Sequence, residues 1–307
     1  MTALKLFLPL DSTAVAMGSD DLADALGAEA AKRKIDLTLV RTGSRGMHWL
    51  EPLLEVEKDG KRIGYGPVGE EDAASLLGAL NGDGKHDKCV GPVEEISFFK
   101  KQTRLIFERC GVIDPLSLED YEKHGGLNGL DKALTLDGAA ICEEVMQSGL
   151  RGRGGAGFPA GIKWKTVAGA EADQKYIVVN ADEGDSGTFA DRMIMEGDPF
   201  TLIEGMVIAG VAVGATKGYI YLRSEYPIAE RVLNEALEKA RAAGLLGDNV
   251  RGSGKVFDIE VFMGAGAYIC GEETSLLNSL EGKRGEVRAK PPLPALEGLF
   301  GKPTLVH

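Results

Sequence analysis

Residues 149–164 read GLRGRGGAGFPAGIKW, a stretch with six glycines and three cationic side chains around one Phe-Pro pair. Glycine lets backbone N–H groups approach an anion closely, and Arg151, Arg153 and Lys163 add positive charge that neutral amides lack. The stretch therefore predicts a loop that wraps the phosphate of a nucleotide or flavin. A flexible glycine linker is the alternative, but linkers favour Ser and avoid Phe, Trp and ordered cations.

A formal G-x-G-x-x-G pattern lies within this stretch at Gly152, Gly154 and Gly157. That pattern indicates a dinucleotide fold when a strand runs into it. Here residues 136–148 (LDGAAICEEVMQS) have helical spacing and stop at Gly149, a residue type typical of a helix C-terminus. The sequence therefore favours an atypical phosphate loop over the ordinary Rossmann loop.

Strands and helices alternate after the loop. Residues 175–180 (KYIVVN) are a short β-branched run of the kind that is buried on both faces of a sheet. The same reasoning predicts strands at 218–222 and 256–263, and helices at 198–215, at 227–243 and ending near residue 280. The fold class predicted for residues 135–307 is α/β, with a Rossmann-like parallel sheet.

The first 90 residues predict a separate small α/β domain. A strand at 4–10, a helix at 20–34 and a strand at 36–41 form a β-α-β unit, and Asp59-Gly60 is a tight hairpin turn between 50–56 and 61–65. A helix follows at 70–80, and the polar segment 81–88 is the predicted boundary. Residues 91–134 are predicted to be a helical connector, with helical periodicity over 93–110.

Composition excludes several partners. A net charge of −12 and a pI near 5.0 disfavour nucleic acid and anionic membrane surfaces. No apolar run is long enough to cross a bilayer, and the first residues (MTALKLFLPLDST) resemble a strand more than a signal peptide, so a cytoplasmic location is expected. The four cysteines and four histidines are scattered, which predicts reduced thiols, no metal site, and no Cys–His or Ser–His catalytic arrangement.

Polar and aromatic residues follow the predicted strands. Asp182, Glu183 and Asp185 could accept hydrogen bonds from ribose or ribityl hydroxyls, with a solvated acidic turn as the alternative. Glu272 and Glu273 are adjacent, so separate hydrogen-bonding roles are expected rather than a carboxylate dyad. Phe158 and Tyr268 stand in glycine-rich loops, where stacking on a flavin or nicotinamide ring is favoured over packing in the core.

Four motifs, in this order, give the chain a specific resemblance: GLRGRGGAGFPAGIKW, NADEGDSGTFADR, GAGAYICGEETSLLNSLEGKRGEVRAKPPLPA and GLFGKPTLVH. Over residues 135–307 the chain resembles the flavoprotein subunits that oxidise NADH in respiratory complex I and related soluble enzymes. The resemblance implies FMN contacts at Gly152, Gly154, Lys163, Asn180, Asp182, Tyr268, Gly271, Glu272 and Glu273. It implies NAD(H) contacts at Phe158, Asp185, Glu273 and Lys290. The charge of Arg153 in the glycine loop and the place of Glu183 after a buried strand predict that these two residues also contact FMN.

The N-terminal domain resembles the thioredoxin-like ferredoxin that accompanies this family, but its cluster cysteines are missing. Residues 43–48 read GSRGMH where a cysteine pair is expected. A cluster-free ferredoxin-like domain joined to these flavoprotein motifs is similar to the beta subunit of soluble NAD-dependent formate dehydrogenase. The second resemblance is to the diaphorase subunit of NAD-reducing hydrogenase. The resemblance implies two partners: a small gamma-type iron–sulfur subunit and a catalytic subunit that contains a metal.

The activity implied by the resemblance is hydride transfer between nicotinamide C4 and flavin N5, with single electrons passed to or from iron–sulfur centres elsewhere. The protein itself supplies no nucleophile. Leu293 and Asp185 depart from the Phe and Glu common in complex I subunits, so nicotinamide stacking and ribose contacts are expected to differ in detail. The family continues beyond residue 307 into a [4Fe-4S] domain, so the chain resembles a fragment with one wall of the FMN site missing. A flavin-free scaffold is the alternative from another class.

Overall fold

The computed structural model of the chain describes residues 4–82 and 84–307, which form two compact units. The first unit extends to Tyr121 and includes Glu196–Asp198, and the second contains Glu122–Met195 and Pro199–His307. The division at 121/122 falls inside the segment 91–134 that the sequence predicts to be a connector. Asp83, in the predicted boundary segment, and residues 1–3 lie outside the described residues.

The first unit is built on a five-stranded sheet in the order β2-β1-β3-β4-β5. β1 and β2 are parallel, and the remaining neighbours are antiparallel. Helices α2 and α3 contribute leucines such as Leu22, Leu26 and Leu76 to the core beside this sheet. The strand order and directions are those of the predicted thioredoxin-like fold. The strands are β1 Leu4–Pro9, β2 Leu37–Thr42, β3 Leu54–Lys58, β4 Lys61–Tyr65 and β5 Cys89–Pro92, and the helices are α1 Ser12–Ala16, α2 Ser19–Arg33, α3 Ala73–Leu80 and α4 Ser97–Lys100.

The β3–β4 hairpin turns at the predicted residues. Asp59 and Gly60 have φ angles of +51° and +74°, the left-handed pair that a two-residue type I′ turn requires. β3 begins at Leu54 rather than near Leu50, because His48–Leu50 form a short 3-10 turn and Pro52 has no N–H for a strand ladder. β5 crosses the domain boundary predicted at residue 90.

The loop of residues 43–48, where the resemblance leads one to expect cysteines, is closed by an ion pair. Arg45 and Glu55 have exposed fractions of 3% and 4% and pair at 2.8 Å. Met47, two residues after Arg45, is fully buried. The loop therefore offers a charge pair and a thioether where the cluster-bearing domain has thiolates.

The predicted helix over residues 93–110 is wrong. The chain forms a 3-10 turn at Val93–Glu95 and the four-residue helix α4, and then continues as turns. The Arg104 guanidinium donates to the carbonyls of Phe107 and Arg45, and its face lies over the Phe99 ring. These contacts fix Arg104 by bonds to one nearby and one distant carbonyl, a kind of interaction that helical periodicity does not encode.

The second unit contains a parallel four-stranded sheet in the order β8-β7-β6-β9, as the α/β prediction requires. Helix α10 is the most buried of its long helices. The sequence missed helices α8 and α9 and strand β9. The strands are β6 Tyr176–Ala181, β7 Lys217–Leu222, β8 Asp258–Met263 and β9 Thr304–Val306, and the helices are α5 Leu118–Lys123, which begins in the first unit, α6 Asn128–Leu134, α7 Gly138–Gln147, α8 Ala160–Gly169, α9 Ala190–Gly197, α10 Pro199–Val213, α11 Pro227–Ala242 and α12 Glu273–Leu280.

No helix in the described part of the chain is long and apolar enough to span a membrane.

Candidate functional site

The strand order of the second sheet creates a switch point between β6 and β9. From β6 the chain moves outward through β7 to β8, and it returns to place β9 on the other side of β6. In open α/β sheets, ligands bind in the crevice outside the carboxyl ends of the strands at such a point. The ends of β6 and β9 meet here, since the Asn180 N–H donates to the His307 carbonyl and the His307 N–H donates to the Val178 carbonyl.

The glycine loop stands between α7 and α8. Arg151 and Pro159 form a bridge at its base, and the Gly152 N–H donates to the Phe158 carbonyl at 2.9 Å. A Cβ atom on Gly154 would meet nothing within 4 Å, so protein packing does not explain the glycine there. The tip, which includes Arg153, is exposed, and its open backbone is consistent with the close approach of an anion.

Helix α8 connects this loop to the switch point. Its Lys163 ammonium donates to the Val306 carbonyl at 3.0 Å, at the end of β9. Trp164 Nε1 donates to His307 Nε2 at 2.8 Å, so the imidazole proton is assigned to Nδ1. Burial and the nearby charge of Lys163 lower the pKa of His307 to about 4, which keeps the ring neutral at neutral pH.

A buried acceptor follows strand β6. The Asn180 side chain donates to the Gly271 carbonyl at 2.8 Å, which ties the end of β6 to the loop after β8. The Asp182 Oδ2 atom is buried, and no donor in the described part of the chain reaches it. Burial raises the pKa of Asp182, an effect that the charge of Arg223 opposes. A Cβ atom on Gly271 would lie 3.8 Å from this oxygen. An unpaired buried acceptor is costly, so its presence indicates a place for an external donor.

The Glu183 carboxylate is nine-tenths buried and already has donors. It accepts from the N–H groups of Asp191 and Arg192, at the start of α9, and from the Tyr226 hydroxyl at 3.1 Å. These contacts cap a helix, a role that favours a carboxylate. A contact between the Glu183 side chain and FMN therefore stays a prediction, and capping alone already accounts for the burial of this carboxylate.

Tyr268 and Asp185 connect the loops after β8 and β6. The Tyr268 hydroxyl donates to Asp185 Oδ1 at 2.9 Å, and the Tyr268 ring lies against the backbone of Gly184. The ring is 72% exposed, and the ring of Phe158 in the glycine loop is 47% exposed. Neither aromatic side chain belongs to the core, which removes the alternative of core packing.

The two adjacent glutamates at the start of α12 share Lys290, and Glu272 alone also caps the helix. Glu272 caps the helix by accepting from the N–H groups of Thr274 and Ser275, and Lys290 contacts Glu272 at 3.0 Å and Glu273 at 2.6 Å. Burial by itself raises the pKa of Glu272, but the hydrogen bonds from Thr274 and Ser275 and the contact with Lys290 bring it below its ordinary value. The arrangement is a cluster of paired charges at a helix N-terminus and does not form a proton-sharing dyad.

The structure thus brings most predicted residues to one edge of the sheet. Hydrogen bonds or ion pairs connect Asn180 with Gly271, Tyr268 with Asp185, and Lys290 with both glutamates. The sequence missed the roles of Gly184, Trp164 and His307. In the sequence His307 stands at the end of the motif GLFGKPTLVH, but the motif alone does not predict a role for this histidine.

A phosphate loop and a buried acceptor at a switch point define a flavin- or nucleotide-binding α/β module. The family model described as the Nuo51 FMN-binding domain matches residues 145–302, just over half of the chain, and the chain belongs to this family. It therefore carries an FMN-binding domain.

Curated relatives support this assignment. The chain is 55% identical over 208 residues to the NADP-reducing hydrogenase subunit HndC of Solidesulfovibrio fructosivorans, covering 68% of this chain and 42% of that protein. It is 52% identical over 193 residues to an NADH-quinone oxidoreductase subunit of Aquifex aeolicus, covering 62% and 45%. The chain thus spans less than half the length of these relatives.

A solved structure matches the whole chain. Crystal structures of an NAD+-reducing [NiFe]-hydrogenase, in the air-oxidised and H2-reduced states, cover 100% of this chain with TM-scores of 0.54 and 0.56. The identities are 27% and 28%, and 51% of the hydrogenase chain is covered. Both units of the chain therefore have counterparts in one chain of this hydrogenase.

Proposed function

We propose that the chain is the NADH-oxidising flavin module of an oxidoreductase complex, with FMN and NAD(H) as its cofactors. The observation that carries the proposal is the convergence at the β6–β9 switch point. Lys163 reaches the end of β9 there, and the unpaired Asp182 carboxylate follows β6. A phosphate and a hydroxyl or imide donor, both present in FMN, suit these two groups.

In this proposal each predicted residue of the FMN site binds or orients the cofactor. Lys163, Arg153 and the amides around Gly152 and Gly154 hold the phosphate, and Asn180 and Asp182 face the flavin and its ribityl chain. The flavin, when bound, supplies hydride exchange with nicotinamide and transfer of single electrons. Because no protein nucleophile is needed, the chain contributes position, charge and exclusion of water. The remaining FMN contacts are assigned to Glu183, Tyr268, Gly271, Glu272 and Glu273.

The nicotinamide nucleotide is assigned to the exposed side of the same edge. Phe158 offers a flat exposed ring, Lys290 a cation, and Asp185 a carboxylate that accepts from ribose hydroxyls and repels a 2′-phosphate. We therefore propose NAD rather than NADP. The name of the relative HndC refers to NADP, so the choice needs a direct measurement.

The complex to which the module belongs has two candidates. A formate dehydrogenase, with a gamma-type iron–sulfur subunit and a metal-containing catalytic subunit, is supported by the sequence resemblance and by the cluster-free loop at residues 43–48. A hydrogenase or complex I assembly is supported by the names of the relatives and by the match with the hydrogenase over the whole chain. Purification of the native complex through this chain, followed by assay of NAD+ reduction with formate or H2 and of NADH oxidation with a quinone, separates the formate dehydrogenase from the hydrogenase or complex I assembly.

The flavin itself is tested on the purified chain. FMN is added in excess, free flavin is removed by gel filtration, and the absorbance spectrum of the protein peak is recorded. We expect flavin absorbance in stoichiometric amount and its bleaching by NADH. A colourless protein that also fails to bind NADH would contradict the proposal and support a flavin-free scaffold.

A further inference from the structure

The loop after β6 is shaped around one aromatic ring of the loop after β8. A Cβ atom on Gly184 would lie 2.7 Å from Tyr268 Cδ2 and 2.9 Å from Tyr268 Cε2, closer than side-chain atoms approach. Gly184 does not have a positive φ angle, so backbone conformation does not account for the glycine. The absence of a side chain at residue 184 therefore allows the Tyr268 ring to lie against the backbone beside Asp185.

The ring carries its hydroxyl to the neighbouring carboxylate. Tyr268 Oη donates to Asp185 Oδ1 at 2.9 Å, and this bond raises the pKa of the Tyr268 hydroxyl. Asp185 is exposed on a turn that ends at Gly187, where φ is +79°. An exposed carboxylate on a glycine-flanked turn has many rotamers in the absence of a partner, so one hydrogen bond at Oδ1 restricts its direction.

We propose that Tyr268 is a positioning residue that orients the Asp185 carboxylate toward the nucleotide ribose and thereby determines the preference for NADH over NADPH. The inference rests on the proposed function, because it requires that Asp185 meets the ribose. With Oδ1 held by the phenol, Oδ2 is the atom that accepts from a ribose hydroxyl and faces a 2′-phosphate. A carboxylate free to turn away would discriminate less between the two nucleotides.

Positioning of Asp185 by Tyr268 can be distinguished by experiment from a direct contact between Tyr268 and the flavin. If Tyr268 acts through Asp185, removal of its hydroxyl matters only while residue 185 carries a charge. A phenol that contacts the flavin or the nucleotide directly contributes the same factor whatever residue 185 is. The two roles therefore differ in whether the two substitutions are additive.

The experiment is a double-substitution cycle on the FMN-loaded protein. The variants are Tyr268→Phe, Asp185→Asn and the combination, with Tyr219→Phe as a control that removes a phenol from β7. The bound FMN is first reduced with dithionite without oxygen, so that NADH and NADPH bind without hydride transfer. Their dissociation constants are then measured by calorimetry, and the NADPH-to-NADH ratio of these constants is compared. A further variant, Gly184→Ala, displaces the ring and leaves the hydroxyl present.

We expect Tyr268→Phe to lower the ratio by about two- to threefold when residue 185 is aspartate, and to leave it unchanged when the Asp185→Asn substitution is already present. Gly184→Ala should lower the ratio like Tyr268→Phe, and Tyr219→Phe should not. An unchanged ratio in Tyr268→Phe, or an equal decrease with and without Asp185→Asn, overturns the inference. If the unsubstituted protein binds neither FMN nor NADH, the proposed function is wrong and the inference is wrong with it. That result differs from additive effects of the two substitutions, which would contradict the inference alone.

Discussion

Lys163 is the cation that most directly tests the phosphate loop. Its ammonium donates to the Val306 carbonyl at 3.0 Å, and an ammonium has three donors, so two remain for a ligand at the end of β9. The perturbation is Lys163→Ala. It removes the charge and both free donors and leaves the glycine backbone unchanged.

The expected loss follows from those contacts. A hydrogen bond to a charged group is worth about 1.5–3 kcal/mol, and each 1.4 kcal/mol is tenfold in a dissociation constant. Loss of one bond to the FMN phosphate should therefore weaken FMN binding by about tenfold to about 150-fold. Loss of the bond to the neutral Val306 carbonyl costs about 0.5–1.5 kcal/mol of stability, which a modest decrease in melting temperature would report.

The assay is titration of the flavin-free protein with FMN, followed by quenching of flavin fluorescence. Lys165→Ala is the matched control, because Lys165 lies on the same helix, carries the same charge and pairs with Glu143 at the surface. It should leave the FMN dissociation constant within about twofold of the original. Equal dissociation constants for Lys163→Ala and Lys165→Ala would show that Lys163 does not face the phosphate, and the assignment of the loop would then be wrong.

Three further changes test other parts of the molecule. Phe158→Ala should raise the Michaelis constant for NADH about tenfold, since stacking of a base on an aromatic ring is worth about 1–3 kcal/mol. The melting temperature should stay unchanged, because the Phe158 ring is half exposed. A large decrease in melting temperature would show that Phe158 packs in the core instead. Asp185→Asn should decrease the preference for NADH over NADPH by about two- to fivefold, and a constant ratio of turnover efficiencies would remove its role in selectivity. Burial and the charge of Asp11 raise the pKa of Glu51 to about 8 from 4.5. Between these two pH values the Glu51 carboxyl is protonated in the folded state and ionised in the unfolded state. The free energy of unfolding should therefore decrease as pH rises from 4.5 to 8, by at most about 1.4 kcal/mol per pH unit. Glu51→Gln should flatten this dependence in urea unfolding midpoints measured across that range, and a slope identical to that of the unsubstituted protein would exclude Glu51 as its source.

Local patterns were enough to predict much of the fold. The end of α7 near Gly149, the strand at 176–181 and the hairpin at Asp59-Gly60 follow from periodicity and from φ angles that glycine tolerates. These features depend on residues within a few positions of one another. The glycine loop and the polar residues after β6 and β8 were found for the same reason.

The failures have a common cause in contacts between residues distant in sequence. Instead of the helix predicted over 93–110 the chain forms mostly turns, and there Arg104 donates to the carbonyl of Arg45, 59 residues away. The capping contacts of Glu183 were not predicted, because they are made to α9, a helix that the sequence missed, while its contact with FMN stays a prediction. Periodicity has no information about which distant group will satisfy a carbonyl or a carboxylate.

The sequence by itself therefore determined strands β6, β7 and β8 of the second unit, its helices α7, α10, α11 and α12, and the residue types at their ends. Only the tertiary structure decided that β9 pairs with β6, with Thr304 beside Tyr176 and Val306 beside Val178. That pairing brings the Val306 carbonyl to Lys163 and His307 to Trp164, each across 143 residues of sequence. The physical reason is that a three-residue strand has too little local preference to specify its partner, so its position is selected by the edge hydrogen bonds of β6 and by burial of Leu305 and Val306.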